Sequence, residues 1–258
     1  MNGSPPVLSL RAVAHRYPGS RSATLEHIDL DLHRGEIVAL LGASGCGKTT
    51  LVRILAGLDR PAAGTILLDG QPLSGPHARI GIVFQEPRLL PWLPVAANVG
   101  FGLAGLGRAE RDRRVAEALA RVQLSGYGER WPRALSGGQA QRVALARALA
   151  TAPELILMDE PFGALDPATR SALQDHVAAL WSGSDGALLL VTHDVDEALV
   201  LADRIVVMAP NPGRIATTVA VRLPRPRRRD GHDLRALRSS VLDVLGNADP
   251  RCRSLAIG

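Results

Sequence analysis

The sequence predicts an α/β fold in which a mostly parallel sheet is covered on both faces by helices. Three observations predict it. Short apolar runs alternate with helical patterns, the order that yields parallel strands joined by crossover helices. A glycine-rich loop at residues 42–49 stands between one such run and one such helix. Hydrophobic residues make up 46% of the 258-residue chain and aromatics only 3%. The core is therefore built from Leu, Val, Ile and Ala, as in buried parallel sheets.

Residues 7–17 and 24–32 read as two strands joined by the turn Pro18-Gly19-Ser20. Residues 36–41 form an apolar run ending on the glycine loop. Leu51, Ile54, Leu55 and Leu58 then recur at helical spacing. Residues 65–68 and 80–84 are further short strands, bounded by Gly or Pro. After Glu86 the character changes. Pro87, Pro91 and Pro94 with Leu89, Leu90 and Trp92 make a rigid, partly apolar loop, and Val115, Leu119 and Val122 mark one amphipathic face. A second helix is expected to begin at Ser136, because Ser136 and Gln139 have capping-box spacing. These features predict an inserted helical subdomain at residues 87–150, flanked by a discontinuous core at 1–86 and 151–221.

Residues 155–159 return to a buried strand. Asp166 and Pro167 read as a helix N-cap and first turn, followed by Leu173, Val177, Leu180 and Trp181 on one face. Residues 187–191 are another buried strand, after which Asp194 and Glu197 are expected to cap the next helix. A basic tail, residues 222–258, ends in a helix carrying Leu234, Leu237, Val241 and Val244 or Leu245. It is open at this point whether the tail regulates, contacts lipid headgroups or packs on the core.

Net charge is +5 and the isoelectric point about 10.1. Such a balance fits nucleic acid, an anionic membrane surface or a modest Arg excess. The charged fraction is an ordinary 21%. Cys46 and Cys252 are expected to be free thiols in a reducing cytoplasm, since a disulfide at Cys46 would block the glycine loop. No stretch approaches the roughly 20 apolar residues of a membrane span, and no signal pattern is evident. A soluble chain is expected, with any membrane role supplied through a partner.

Gly42-Ala43-Ser44-Gly45-Cys46-Gly47-Lys48-Thr49 fits the Walker A pattern. Its glycines let backbone N–H groups turn toward phosphate oxygens, and the following helix aims its positive end at the same anion. Lys48 is expected to reach the β- and γ-phosphates and Thr49 to ligand Mg²⁺. Leu155-Ile156-Leu157-Met158-Asp159-Glu160 fits Walker B: the apolar residues set Asp159 at a buried strand end to hold Mg²⁺. Glu160 follows as a candidate general base for the attacking water, or a structural acid at a strand end. Leu135-Ser136-Gly137-Gly138-Gln139 lies between them and opens a second helix tip suited to anions.

Together, in this order, these segments resemble the ATP-binding cassette (ABC) ATPases over residues 8–221. The resemblance implies a P-loop NTPase core, an N-terminal antiparallel β subdomain and an inserted α-helical subdomain. It implies ATP hydrolysis with Mg²⁺, with Gly42 to Thr49 and Thr50 around the phosphates. Gln85 then touches Mg²⁺ and the attacking water, and His193 senses the γ-phosphate and helps position Glu160. Tyr17 stacks on adenine, for which a flat π face suffices. Read alone, Gln85 is equally a solvated strand-end residue, His193 a packed or solvent-facing histidine and Tyr17 a core-edge aromatic. The resemblance further implies a head-to-tail homodimer in which each ATP lies between Walker A of one copy and Leu135 to Gln139 of the other. Asp166 fits the segment crossing between the sites, and also an ordinary N-cap.

Residues 86–92, 210–214 and 223–227 narrow the resemblance to importer ATPases of the nitrate/sulfonate/taurine type. That implies a peripheral subunit on the cytoplasmic face of the inner membrane, driving a separate permease fed by a substrate-binding protein. The apolar loop at 89–93 is the expected socket for a permease helix. No nucleic acid partner is expected. The alternative is a soluble ABC ATPase acting on nucleic acid or ribosomes, which the basic charge favours. The single cassette, without a long heptad insertion, disfavours it.

Overall fold

The computed structural model describes residues 5–249. Cys252 lies outside them. Strands β1 (Leu8–His15) and β2 (Leu25–Leu32) pair antiparallel, and β4 (Ala63–Leu68) and β5 (Gln71–Pro72) extend them into a four-stranded sheet ordered β2-β1-β4-β5. The second sheet contains β3 (Ile37–Leu41), β6 (Ile80–Val83), β7 (Leu155–Asp159), β8 (Ala187–Thr192), β9 (Arg204–Ala209) and β10 (Arg214–Ala220). Its order is β10-β9-β3-β8-β7-β6, parallel throughout except for the β9–β10 hairpin.

The central strands β3, β7 and β8 read as continuous apolar runs because alternate residues serve different cores, whereas the edge strand β10 is largely exposed. Ile37, Ala39, Leu41, Ile156, Met158, Leu188 and Leu190 face one hydrophobic cluster. Val38, Leu40, Leu155, Leu157, Leu189 and Val191 face the other, which the antiparallel sheet and α1 (Lys48–Leu55) close. Burial on both faces leaves no position for the polar alternation of a half-exposed strand.

Between β6 and β7 the chain forms α2 (Val95–Val99), α3 (Arg108–Arg121) and α4 (Gly137–Ala150). Val115, Leu119 and Val122 are buried, as their spacing predicts. The capping box at α4 is present: Gln139 N–H donates to Ser136 Oγ at 3.3 Å, and Ser136 N–H donates to Gln139 Oε1 at 3.0 Å. Helices α5 (Pro167–Trp181), α6 (Val195–Leu201) and α7 (His232–Ala248) complete the chain.

Two expectations need correction, and one element was not predicted. Leu58 lies beyond the end of α1 and is exposed, because the chain turns at Ala56 and Gly57. Glu197 does not cap α6. Asp194 alone accepts from the N–H groups of Asp196 and Glu197, while the Glu197 side chain turns inward. The β9–β10 hairpin was not foreseen, although Pro210 to Gly213 between two β-branched runs is its signal.

The tail, within the described residues, packs on the core. Leu234, Val241, Leu242 and Leu245 of α7 are buried, so Val241 is joined by Leu245 rather than Val244 in the tightest contact. Arg227 is buried and donates to the carbonyls of Leu199 (2.7 Å) and Ala202 (2.6 Å), closing the end of α6. Burial pushes its pKa down to about 10.

Candidate functional site

Parallel sheets bind ligands in the crevice beyond the carboxyl ends of their strands, and this sheet gathers its polar residues there. Strand β3 runs into the loop 42–47, which α1 follows. The N-cap of α1 is Gly47, at φ 100° and without a side-chain cap. A Cβ there would lie 2.6 Å from Leu25 Cδ2, so only glycine allows both the left-handed turn and the contact with β2. The first N–H groups of α1 therefore face the crevice without a side-chain acceptor.

Lys48 is 5% exposed. Its Nζ donates to the carbonyls of Gly42 (2.7 Å) and Ala43 (3.0 Å), so the cation is drawn into the loop. Cys46 is buried beneath it, and burial pushes the thiol pKa up against the opposing Lys48 charge. That is the environment of an unreactive thiol.

Thr49 Oγ1 donates to Asp159 Oδ1 at 3.4 Å, bringing the first turn of α1 to the end of β7. Burial raises the Asp159 pKa, with the Glu160 charge adding and the Thr49 hydrogen bond opposing. Among the described residues no group of three or more His, Cys, Asp or Glu could hold a metal. A hydroxyl and one carboxylate facing each other nonetheless suit Mg²⁺, a hard ion that takes oxygen donors and completes its shell with phosphate and water.

Glu160 has φ 46°, unusual for a residue with a side chain. Two contacts over-determine this conformation. Its N–H donates to Val191 O at 2.9 Å, and its Oε2 lies 3.2 Å from His193 Nδ1. Glu160 is thus tied by backbone and side chain to the end of β8. Gln85 projects from the end of β6 over the same turn: a Cβ on Gly163 would lie 3.2 Å from its Nε2. Tyr17, at the margin of the loop, is 39% exposed. Its hydroxyl hydrogen-bonds Thr50 Oγ1 at 3.2 Å and its ring meets the edge of His15.

Thr192 and Glu197 belong to this structure but were missed as part of it. Thr192 Oγ1 donates to Glu197 Oε2 at 2.7 Å and accepts from Asp194 N–H at 2.9 Å, fixing the turn that bears His193. Glu197 was visible only as a capping residue, because its true partner lies before the cap.

Leu135 to Gln139 stands apart from that cluster. Ser136 and Gly137 are exposed, and the Gln139 amide donates to Tyr127 Oη at 3.3 Å. Gly138 is buried against α5, where a Cβ would lie 2.3 Å from Thr169 Cγ2. The tip therefore rests on the segment led by Asp166, which caps α5 by accepting from Thr169 N–H at 3.0 Å. Hydrogen bonds from Thr169 lower the Asp166 pKa.

Comparison with known proteins extends this geometry. The ABC transporter family profile matches residues 25–163. An aliphatic sulfonates import ATP-binding protein from Xanthomonas axonopodis pv. citri is 51% identical over 241 residues, covering 92% of this chain and 94% of its own. A taurine import ATP-binding protein from Pseudomonas savastanoi pv. phaseolicola is 47% identical over 235 residues, covering 90% of each. Among solved structures, the dimeric post-hydrolysis ATP-binding cassette MJ0796 bound to ADP and Pi superposes with a TM-score of 0.74 at 30% identity, covering 84% of this chain and 100% of its own. The cbiO1 protein of Clostridium perfringens, part of the ABC transporter complex cbiONQ, gives 0.78 at 27% identity, covering 98% and 99%.

Proposed function

Because the chain belongs to the ABC transporter family, as one of its ATP-hydrolysing subunits, we propose that it drives import of an aliphatic sulfonate or taurine-like anion through a separate permease. The reading of substrate follows what the relatives are named for. They name sulfonate and taurine, and nitrate is the weaker extension. The nucleic acid or ribosome alternative finds no support among these import subunits.

The division of labour is read from the site. Loop 42–49 and the uncapped N-terminus of α1 receive the phosphates of ATP, with Lys48 turning from its own carbonyls to the β- and γ-oxygens. Thr49, Asp159 and Gln85 would hold Mg²⁺, which supplies charge neutralisation on the phosphate oxygens. Glu160, anchored on Val191 and beside His193, accepts a proton from water as its oxygen attacks the γ-phosphorus. ADP leaves with the electron pair of the broken P–O bond. His193 holds the γ-phosphate and orients Glu160. Tyr17 offers its exposed face to adenine.

Ser136 and Gly137 meet the ATP of a second copy, and Asp166 lies at the crossing between the two sites. In this reading residues 1–86 and 151–221 form the core, 87–150 the helical subdomain and 222–258 the tail. Among the described residues no helix is long and apolar enough to cross a membrane. The permease is then what holds the subunit at the cytoplasmic face of the inner membrane, with a substrate-binding protein outside. Trp92 and Phe101 are 68% and 61% exposed. The cleft of ≈ 640 Å³ nearby is lined by Pro94, Ala97, Phe101 and Val115 together with Arg111 and Asp112, and by none of residues 89–93, so the socket for a permease helix shifts from the expected loop to this cleft beside it.

The observation that carries this reading is the Glu160–His193 contact beside the Thr49–Asp159 pair. Its test is Glu160→Gln, which keeps shape and removes basicity. ATP binding is expected to persist, turnover to fall about 10²–10³-fold, and a nucleotide-bound dimer to accumulate. Normal turnover in this variant refutes the base assignment. Stimulation of the wild type by its reconstituted permease and a sulfonate, rather than by nucleic acid, tests the transport reading.

A further inference from the structure

The segment carrying Gln85 is held by the helix whose tip is Ser136. Its two ends close on each other, with the Arg88 guanidinium 4.0 Å from the centroid of the Phe84 ring. Arg88 has φ 47°, a left-handed conformation that persists only where its surroundings impose it. Those surroundings are α4. Gln141 Nε2 donates to Phe84 O at 2.9 Å. Arg147 forks across the other side, Nη1 to Arg88 O at 2.8 Å and Nη2 to Pro87 O at 2.9 Å. The grip thus falls on the residue before Gln85 and on the second and third residues after it.

Satisfying carbonyl groups does not by itself require this arrangement. Arg88 is exposed and Pro87 half-buried, so water could serve their oxygens. Instead Gln141 is only 2% exposed, on a helix otherwise packed through Val143, Ala144, Leu145 and Ala148. Burial also pushes the Arg147 pKa down, a desolvation cost. Polar side chains buried at such cost fix geometry.

We propose that Gln141 and Arg147 are positioning residues for Gln85: their hydrogen bonds from α4 to the 84–88 backbone hold the Gln85 side chain at its working place. The proposal rests on the role given above to Gln85.

The experiment is a double-mutant cycle in the full chain. Hydrolysis is measured against ATP and against Mg²⁺ for Arg147→Met, Gln141→Leu, Gln85→Ala and the pairs with Gln85→Ala. Thermal unfolding controls for folding. Arg147→Met is expected to lower kcat about tenfold, to leave ATP affinity within about twofold and to raise the Mg²⁺ requirement several-fold. In the Gln85→Ala background the same change is expected to cost less than about twofold, because its route to the site is already cut. Arg147→Lys, which keeps a donor but loses the fork, is expected to restore part of kcat, and it carries the cycle if Arg147→Met does not fold. An undiminished tenfold loss in the Gln85→Ala background overturns the proposal, because the arginine then acts elsewhere. So does an unaffected Arg147→Met beside an impaired Gln85→Ala, and here the reading of Gln85 survives. If Gln85→Ala alone leaves kcat and Mg²⁺ dependence unchanged, the reading of Gln85 has failed, and the proposal with it.

Discussion

Two glycine-containing helix tips in this chain solve the same problem in opposite ways. At α1 the N-cap is a left-handed glycine with no side-chain cap, and the neighbouring cation is buried in its own loop. At α4 the N-cap is Ser136, and a capping box with Gln139 satisfies donors at both positions. A helix begins with N–H groups that need acceptors. The first tip leaves that need to a ligand and keeps a lysine ready beside it. The second meets part of the need itself and holds its shape while exposed. On the proposed reading, the difference separates a receptor that encloses an anion from a rigid probe that is brought to one.

The largest expected effect breaks the first side of this comparison. Lys48→Ala removes the only side-chain cation placed in the loop and frees the carbonyls of Gly42 and Ala43. Nucleotide affinity is expected to fall at least about tenfold and hydrolysis about 10³-fold, as for loss of a charged group aimed at developing phosphate charge. Equilibrium binding and steady-state turnover measure the two. Ser136→Arg attacks the other side. It is expected to leave ATP affinity of the isolated subunit within about twofold while abolishing the ATP-dependent dimer, because a bulky cation at the exposed tip obstructs a second copy. Binding and dimer mass should be followed in parallel. Equal loss of affinity in both variants would erase the distinction between the tips.

Gly138→Ala sharpens the comparison within the second tip. Ser136 and Gly137 face solvent, but a Cβ at residue 138 would lie 2.3 Å from Thr169 Cγ2. One glycine of the motif therefore serves helix packing. Overpacking of this kind costs about 1–3 kcal/mol, read as a fall in Tm of several degrees. Thr169→Ser removes the obstructing methyl and should restore much of it. A Gly138→Ala variant with unchanged Tm but lost dimer formation would place this glycine with Ser136 instead.

What could be read from the sequence follows from how local each determinant is. The Ser136–Gln139 box was legible because both partners lie within one turn. Residues 155–159 and 187–191 were legible because double-sided burial leaves uninterrupted apolar runs. Glu197 was misread for the same reason that Ser136 was read correctly. It stands three residues after Asp194, yet its carboxyl goes to Thr192, and spacing cannot distinguish the two outcomes. Arg227 counted toward basic charge, but its partners are carbonyls at the end of α6 that only the tertiary fold supplies. Gln141 and Arg147 were silent because their acceptors are backbone atoms about sixty residues away. The residues of the crevice were named from motif and resemblance. The tie from Glu160 to Val191 and His193 needed coordinates.

A third tip, α6, gives the smallest effect and shows what an inward-turned acid costs. Asp194 meets the first N–H groups of α6 by itself, so Glu197 is not needed as a cap. Glu197 is 5% exposed. Burial pushes its pKa up to about 7 from 4.5, with the Asp194 charge adding and the Thr192 hydrogen bond opposing. Between these values the folded chain holds a proton that the unfolded chain releases, so stability falls as pH rises through the window. At 1.36 kcal/mol per pH unit the fall is about 3 kcal/mol at most. Glu197→Gln can still accept from Thr192 but has no proton to lose. Its Tm should match the wild type near pH 5 and exceed it by several degrees at pH 8. Parallel Tm profiles across that range would mean that Glu197 does not titrate there, and that the turn bearing His193 tolerates a buried negative charge at no cost.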